Sequence, residues 1–109
     1  MSPMWWMLVL ACSEPPRSID AAKALEGVAS RGEPQFQMVC ALCHGRTGQG
    51  VSRTPALAGR VHELSDDELL SAMIQGRGAM SRTRLNDQQA ADVLAYLRQT
   101  FPAPAEGAP

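Results

Sequence analysis

Cys40-Ala41-Leu42-Cys43-His44 is the stretch on which the reading of this chain turns. Two cysteines three positions apart share one side of a helical turn, and a histidine follows directly. That spacing suits covalent attachment of haem c. The two thiols reach the vinyl groups on one porphyrin edge, and the imidazole of His44 turns to the iron as proximal ligand. Three other chemistries fit the rest of the chain less well. A thioredoxin-like redox pair needs βαβ patterning, and no strand-like runs occur. A zinc site needs a second pair of ligands, and the chain has no second Cys pair. A disulfide between residues so close in sequence would staple almost nothing.

A chain of 109 residues allows one domain, and the stretch from Ser30 to Phe101 is a size at which an apolar core alone is marginal. A buried haem supplies the missing core. The formal net charge is -1, with ten basic and eleven acidic residues, so neither nucleic-acid binding nor a strongly charged tail is indicated. Lys23 is the only lysine, which rules out a docking surface built on lysines.

Met4 to Ala11 is an apolar run too short to span a bilayer, followed by Cys12 and the polar Ser13-Glu14-Pro15-Pro16. It reads as a secretory signal over residues 1–11. Both tryptophans, Trp5 and Trp6, fall inside it. Val9-Leu10-Ala11-Cys12 resembles the lipobox of bacterial lipoproteins, which implies lipidation of Cys12 and attachment to the periplasmic side of a membrane. Val9 and Ala11 also satisfy an ordinary signal peptidase, which would give a soluble periplasmic protein instead. Residues 12–31 read as a tether containing a short helix-capable patch, Asp20 to Glu26, and residues 102–109 as a disordered tail.

Helical punctuation divides residues 32–101 into three segments. The first runs from about Glu33 to Leu42, with Pro34 in its first turn and Phe36, Val39 and Cys40 on one face. The second opens with a capping box of Ser65 and Glu68 and a staple of Leu64 with Leu69; Leu69, Leu70, Met73 and Ile74 form its apolar stripe, and Gly76 stops it. The third starts at Asn86 with Gln89 as a second capping box, and carries Ala90, Val93, Leu94 and Leu97 on one face. No alternating apolar pattern occurs, so the fold class is all-α. Gly45 to Gly50 could be taken for a phosphate cradle, but no strand precedes it and no P-loop lysine follows.

Taken together, Gly32-X-X-X-Phe36, Cys40-X-X-Cys43-His44-Gly45, Thr54 to Gly59, Gly76-Arg77-Gly78-X-Met80 and Ala95-Tyr96-Leu97-Arg98 resemble small bacterial class I c-type cytochromes over about residues 31 to 101. The resemblance implies a class I cytochrome c fold, three to five helices around one covalently bound haem c. It implies that the first and last helices cross, with Gly32 and Phe36 meeting Tyr96. It also implies Met80 as the distal iron ligand, the Pro55 carbonyl as acceptor for the Nδ1 proton of His44, and Leu57, Met73, Ile74 and Leu94 as walls of the haem site. In that family the ligand methionine is usually followed by proline, and here Ser81 follows. A looser ligand loop is the expectation. Met73 is a rival ligand whose helical register favours packing, and His62 reads as a solvated loop residue. Arg77, Arg82 and Arg84 flank Met80 and would form a docking rim.

The function these readings imply is one-electron transfer between redox protein partners outside the cytoplasm, by a monomer that is not an enzyme. Two other roles compete: a haem-based gas or redox sensor in which Met80 leaves the iron, and a cytochrome subunit of a dehydrogenase or oxidase.

Overall fold

The computed structural model describes residues 17–51, 54 and 56–103. The expectations for the signal segment, Cys12, Pro55 and the tail beyond Ala103 lie outside those residues. Among the described residues five α-helices follow one another: α1 (Asp20–Ala24), α2 (Ala29–Gln35), α3 (Ala41–His44), α4 (Asp66–Ile74) and α5 (Asp87–Thr100). A π-helical segment, Phe36–Cys40, joins α2 to α3, and a 3₁₀ turn, Val61–Glu63, precedes α4. Among the described residues there is no strand, only an isolated bridge between Arg77 and Met80. Over the described residues the fold is all-α, as the sequence patterning implies.

The two capping boxes form as their sequences dictate. The Ser65 hydroxyl accepts from the Glu68 amide while the Glu68 carboxylate accepts from the Ser65 amide, and Asn86 and Gln89 do the same at the start of α5. Leu69, Leu70, Met73 and Ile74 are all buried, as are Ala90, Val93 and Leu97 across from them. Leu64 and Leu94 sit half-buried against this core.

Among the described residues the packing of α2 on α5 is the most extensive between helices. It is possible because Gly32 has no side chain: a Cβ there would lie 2.0 Å from the carbonyl oxygen of Asp92. Gly27 makes a second such approach, with its missing Cβ 2.0 Å from the carbonyl oxygen of Ala91. One turn further on, the rings of Phe36 and Tyr96 meet at 5.2 Å, as the resemblance implied, and Phe101 closes the cluster 6.3 Å from Phe36.

Asp92 locks the junction. Its buried carboxylate accepts from the Val28 amide at 2.9 Å, from Gln88 at 2.9 Å and from Arg31 at 3.2 Å, so the N-cap of α2 is supplied by a side chain of α5. Burial pushes this carboxyl up, but the Val28, Gln88 and Arg31 donors outweigh it and hold the group below the ordinary carboxylate range.

Two expectations change on inspection of the helices. The helix expected from about Glu33 is α2 and starts at Ala29, so Pro34 lies inside it and removes one bond of the α-ladder. Two residues later the ladder widens, with the Ala41 amide donating to the Phe36 carbonyl. The wider turn breaks the expected face: Phe36 and Cys40 are buried while Val39 is 38% exposed. The stretch expected as a tether also packs on the domain from Arg17 onward. Arg17 donates to the Leu85 carbonyl and pairs with Asp87 at 2.6 Å, Ala22 is buried, and Lys23 pairs with Asp67 at 2.9 Å.

Replacing Gly32 by Ala in the haem-loaded protein should cost stability at or above the top of the ~1–3 kcal/mol range of overpacked sites, because backbone and not a mobile side chain fills the space. Ser30→Ala, on the exposed side of the same helix, should stay within about 0.5 kcal/mol in denaturant titration. Equal effects would remove the close approach from the account.

Asp92 also gives the stability a pH dependence. Its folded-state pKa lies below the ordinary 3.8, so its contribution is complete above that value and is lost as the pH falls through the lowered folded value. Asp92→Asn should cost about 1–3 kcal/mol near neutrality and shrink the difference from wild type in acid. A difference that stays constant from pH 7 to pH 2 would contradict this.

Candidate functional site

The attachment turn is the end of one continuous helical stretch that begins at Ala29. The π-helical segment delivers Cys40 to the core at 8% exposure, and α3 carries Cys43 and His44 at its end. Cys43 is exposed and Cys40 is buried, both as free thiols. Burial, helped by the neighbouring Cys43, pushes the Cys40 thiol up to about 11, so this sulfur is held neutral in an apolar setting.

His44 is half-buried, and its Nδ1 is buried without a hydrogen-bond partner among the described residues. The backbone around it is firmly held. The Gly45 amide donates to the Ala41 carbonyl at 2.8 Å and the Gly50 amide to the His44 carbonyl at 2.8 Å. The expected acceptor for the imidazole, Pro55, lies outside the described residues. Leu57 is half-buried against the core, tied to the attachment loop by its amide, which donates to the Gly48 carbonyl at 2.7 Å.

Met80 sits on a separate element, the loop after α4. Helix α4 ends at Ile74, and Gly76, at φ 86°, turns the chain out of it. Arg77 and Met80 then exchange both backbone hydrogen bonds, at 2.9 and 3.0 Å, around Gly78 at φ 58°. Met80 is half-buried at the end of this tight turn. Met73 is 3% exposed inside the core, the packing role its register suggested.

An iron porphyrin held by two thioethers needs two thiols and an imidazole on one turn. It also needs apolar surface against one face and an open edge. Cys40, Cys43 and His44 share the turn, Cys40 faces the core of Leu69, Leu70, Met73, Val93 and Leu97, and Cys43 opens to solvent. The orphaned Nδ1 is the atom that a haem-ligating histidine commonly satisfies with a carbonyl. These residues fit the group. Among the described residues no cluster of three or more His, Cys, Asp or Glu could hold a different metal centre.

Several features were not legible in the sequence. His62, expected as a solvated loop residue, is half-buried in the 3₁₀ turn with its Nδ1 buried and unpartnered among the described residues. Arg77, expected in a free rim, pairs with Glu68 at 3.5 Å, which leaves Arg82 and Arg84 as the exposed cations of that loop without an ion pair among the described residues. The back of the attachment turn is apolar: Met38 is 77% and Leu42 85% exposed. The one signal for it is that no charged residue occurs between Pro34 and Cys43.

Comparison with known proteins bears on the whole domain. A family model described as cytochrome C oxidase, cbb3-type, subunit III matches residues 27–97. The chain is 36% identical over 76 residues to the cytochrome c-553-like protein of Synechocystis, covering 69% of this chain and 71% of that one. It is 31% identical over 80 residues to cytochrome c-551 of Bacillus subtilis, covering 73% and 70%. With cytochrome c-555 of Methylococcus capsulatus the identity is 32% over 65 residues, covering 57% and 53%. The crystal structure of the sulfane dehydrogenase SoxCD from Paracoccus pantotrophus superposes with a TM-score of 0.61 at 15% identity, covering 97% of this chain and 59% of that one.

Proposed function

The chain belongs to the small monohaem class I c-type cytochromes, electron-transfer proteins with one covalent haem c, and we propose that Cys40, Cys43, His44 and Met80 hold that haem in it. The protein moves single electrons between redox partners outside the cytoplasm and is not an enzyme. The observation that carries the site assignment is the attachment turn: two thiols and an imidazole together, one sulfur facing the core and one the solvent.

Each residue has a distinct task. Cys40 and Cys43 form the thioethers, so the cofactor cannot dissociate. His44 would ligate the iron through Nε2, and its buried Nδ1–H would donate a hydrogen bond to a carbonyl, that of Pro55 by the family resemblance, which would fix the ring and raise its donor strength. Leu57, with Met73 and Ile74, keeps water from the cofactor. Met80 supplies a thioether that favours the reduced state. Bound haem supplies an iron that alternates between ferric and ferrous, with no group transferred at the protein. Because Cys43 and Leu42 are exposed, a haem attached at this turn would have its attachment edge near solvent, where an electron could reach a partner without crossing the core.

Lipidation of Cys12 accounts for the lipobox-like Val9-Leu10-Ala11-Cys12 and would hold a monomeric domain at a membrane surface. Among the described residues no helix is long and apolar enough to cross a membrane. Mass spectrometry of the mature N-terminus should show a diacylglyceryl adduct on Cys12 and no peptide containing Trp5 or Trp6. An intact Met1, or an unmodified Cys12, would refute the anchor.

The iron ligand has its own test. The oxidised protein should show the weak near-infrared sulfur-to-iron band, and Met80→Ala should abolish it and lower the potential by on the order of a few hundred millivolts, within the ~0.8 V that axial ligands command. Met73→Leu should keep the band. Survival of the band in Met80→Ala, with its loss in Met73→Leu, would reverse the assignment.

A further inference from the structure

The Met80 turn is closed by two backbone hydrogen bonds of its own, with one exposed ion pair from Arg77 to Glu68, and a turn of that size is marginal in isolation. Three residues later it is fastened to the core. The Thr83 amide and the Thr83 hydroxyl both donate to the Met73 carbonyl, each at 2.8 Å, and the same hydroxyl accepts from the Leu85 amide at 3.3 Å. Met73 and Leu85 are 3% and 2% exposed, so both ends of this link are rigid.

The Met73 carbonyl belongs to the last turn of α4, where carbonyls lack helical partners. Those of Ser71 and Ala72 are taken by the Gln75 and Gly76 amides, whereas that of Met73 is taken by Thr83. Thr83 thus caps the helix and fixes the returning arm of the loop with one side chain. Ser81 stands where the family usually carries the proline that stiffens this loop. The expectation of a looser loop overlooked this second device.

We propose that Thr83 is the positioning residue of the Met80 loop, and that its hydroxyl sets how readily Met80 gives way to an external ligand. The proposal rests on Met80 being the distal ligand. Thr83 touches neither iron nor haem in this account; it acts through the path of the backbone. A retained thioether suits a carrier, and an easily displaced one suits a sensor.

The test uses the oxidised, haem-loaded protein and imidazole as the displacing ligand, read by loss of the near-infrared sulfur-to-iron band. Thr83→Val removes the hydroxyl at little change of volume, and the imidazole concentration at half-displacement should fall about three- to tenfold, the effect of one hydrogen bond. Thr83→Ser should restore the wild-type midpoint. Asp92→Asn, which weakens the α2–α5 junction through its bonds to Val28, Arg31 and Gln88 rather than to any residue of this loop, should leave it unchanged. A wild-type midpoint in Thr83→Val, with the band present, overturns the latch alone. An equal shift in Asp92→Asn also overturns it, by showing general loosening. Absence of the band in the wild type overturns the Met80 reading and the latch with it.

Discussion

Everything in this domain depends on a close backbone contact with α5, where Gly27, just ahead of α2, and Gly32, within it, rest on the carbonyls of Ala91 and Asp92. Side chains cannot make that contact, because any Cβ at either position would enter the van der Waals radius of an oxygen. The reward for the two glycines is reach. With the backbones this close, Phe36 lies between Tyr96 and Phe101, and the helical stretch that follows Phe36 ends in the attachment turn against the same core. Asp92 makes the junction directional, since only one axial placement of α2 puts the Val28 amide, Gln88 and Arg31 on its carboxylate.

A buried carboxylate is ordinarily a weak source of stability, since removing its water costs as much as its partners return. Asp92 differs in the kind of partner it has. One of its donors is a backbone amide at the start of a helix, which would otherwise be orphaned at the junction. Arg98 plays the corresponding part at the other end of α5. Its guanidinium donates to the carbonyls of Val61 and Leu64 and to Asp66, so the 3₁₀ turn and the start of α4 are held by one side chain. Neither residue looks special in the sequence, where one is an acid inside an apolar helix face and the other a routine basic residue in a last turn.

What could be read from the residues followed from local rules. Ser65 with Glu68 and Asn86 with Gln89 satisfy amides within their own first turns, and the burial of Leu69, Leu70, Met73 and Ile74 follows from helical spacing alone. The cysteine and histidine spacing needed no fold to be recognised. The misreadings share a different cause. Pro34 marked a helix start by propensity, yet tertiary packing on α5 carried the helix back to Ala29, and the π-helical turn that follows has no periodicity signal of its own. The stretch from Arg17 to Arg31 looked like a tether because its anchors, Leu85, Asp87 and Asp92, lie more than sixty residues away. The fastening of the Met80 loop was hidden for the same reason: a threonine is informative only once its partner carbonyl is known.

The pairing of α2 with α5 joins nearly the first described helix to the last, and this fixes when the protein can fold. A ribosome or export channel releases the chain from its N-terminus, so the attachment turn emerges well before the helix it packs beside. Until Leu97 and Phe101 are available, Cys40 has no core to enter and both thiols stand open on an unstructured chain. The interval between synthesis of the first helix and arrival of the last is therefore a window in which the cysteines are equally accessible. Closure of the helix pair ends it, leaving one sulfur inside and one outside.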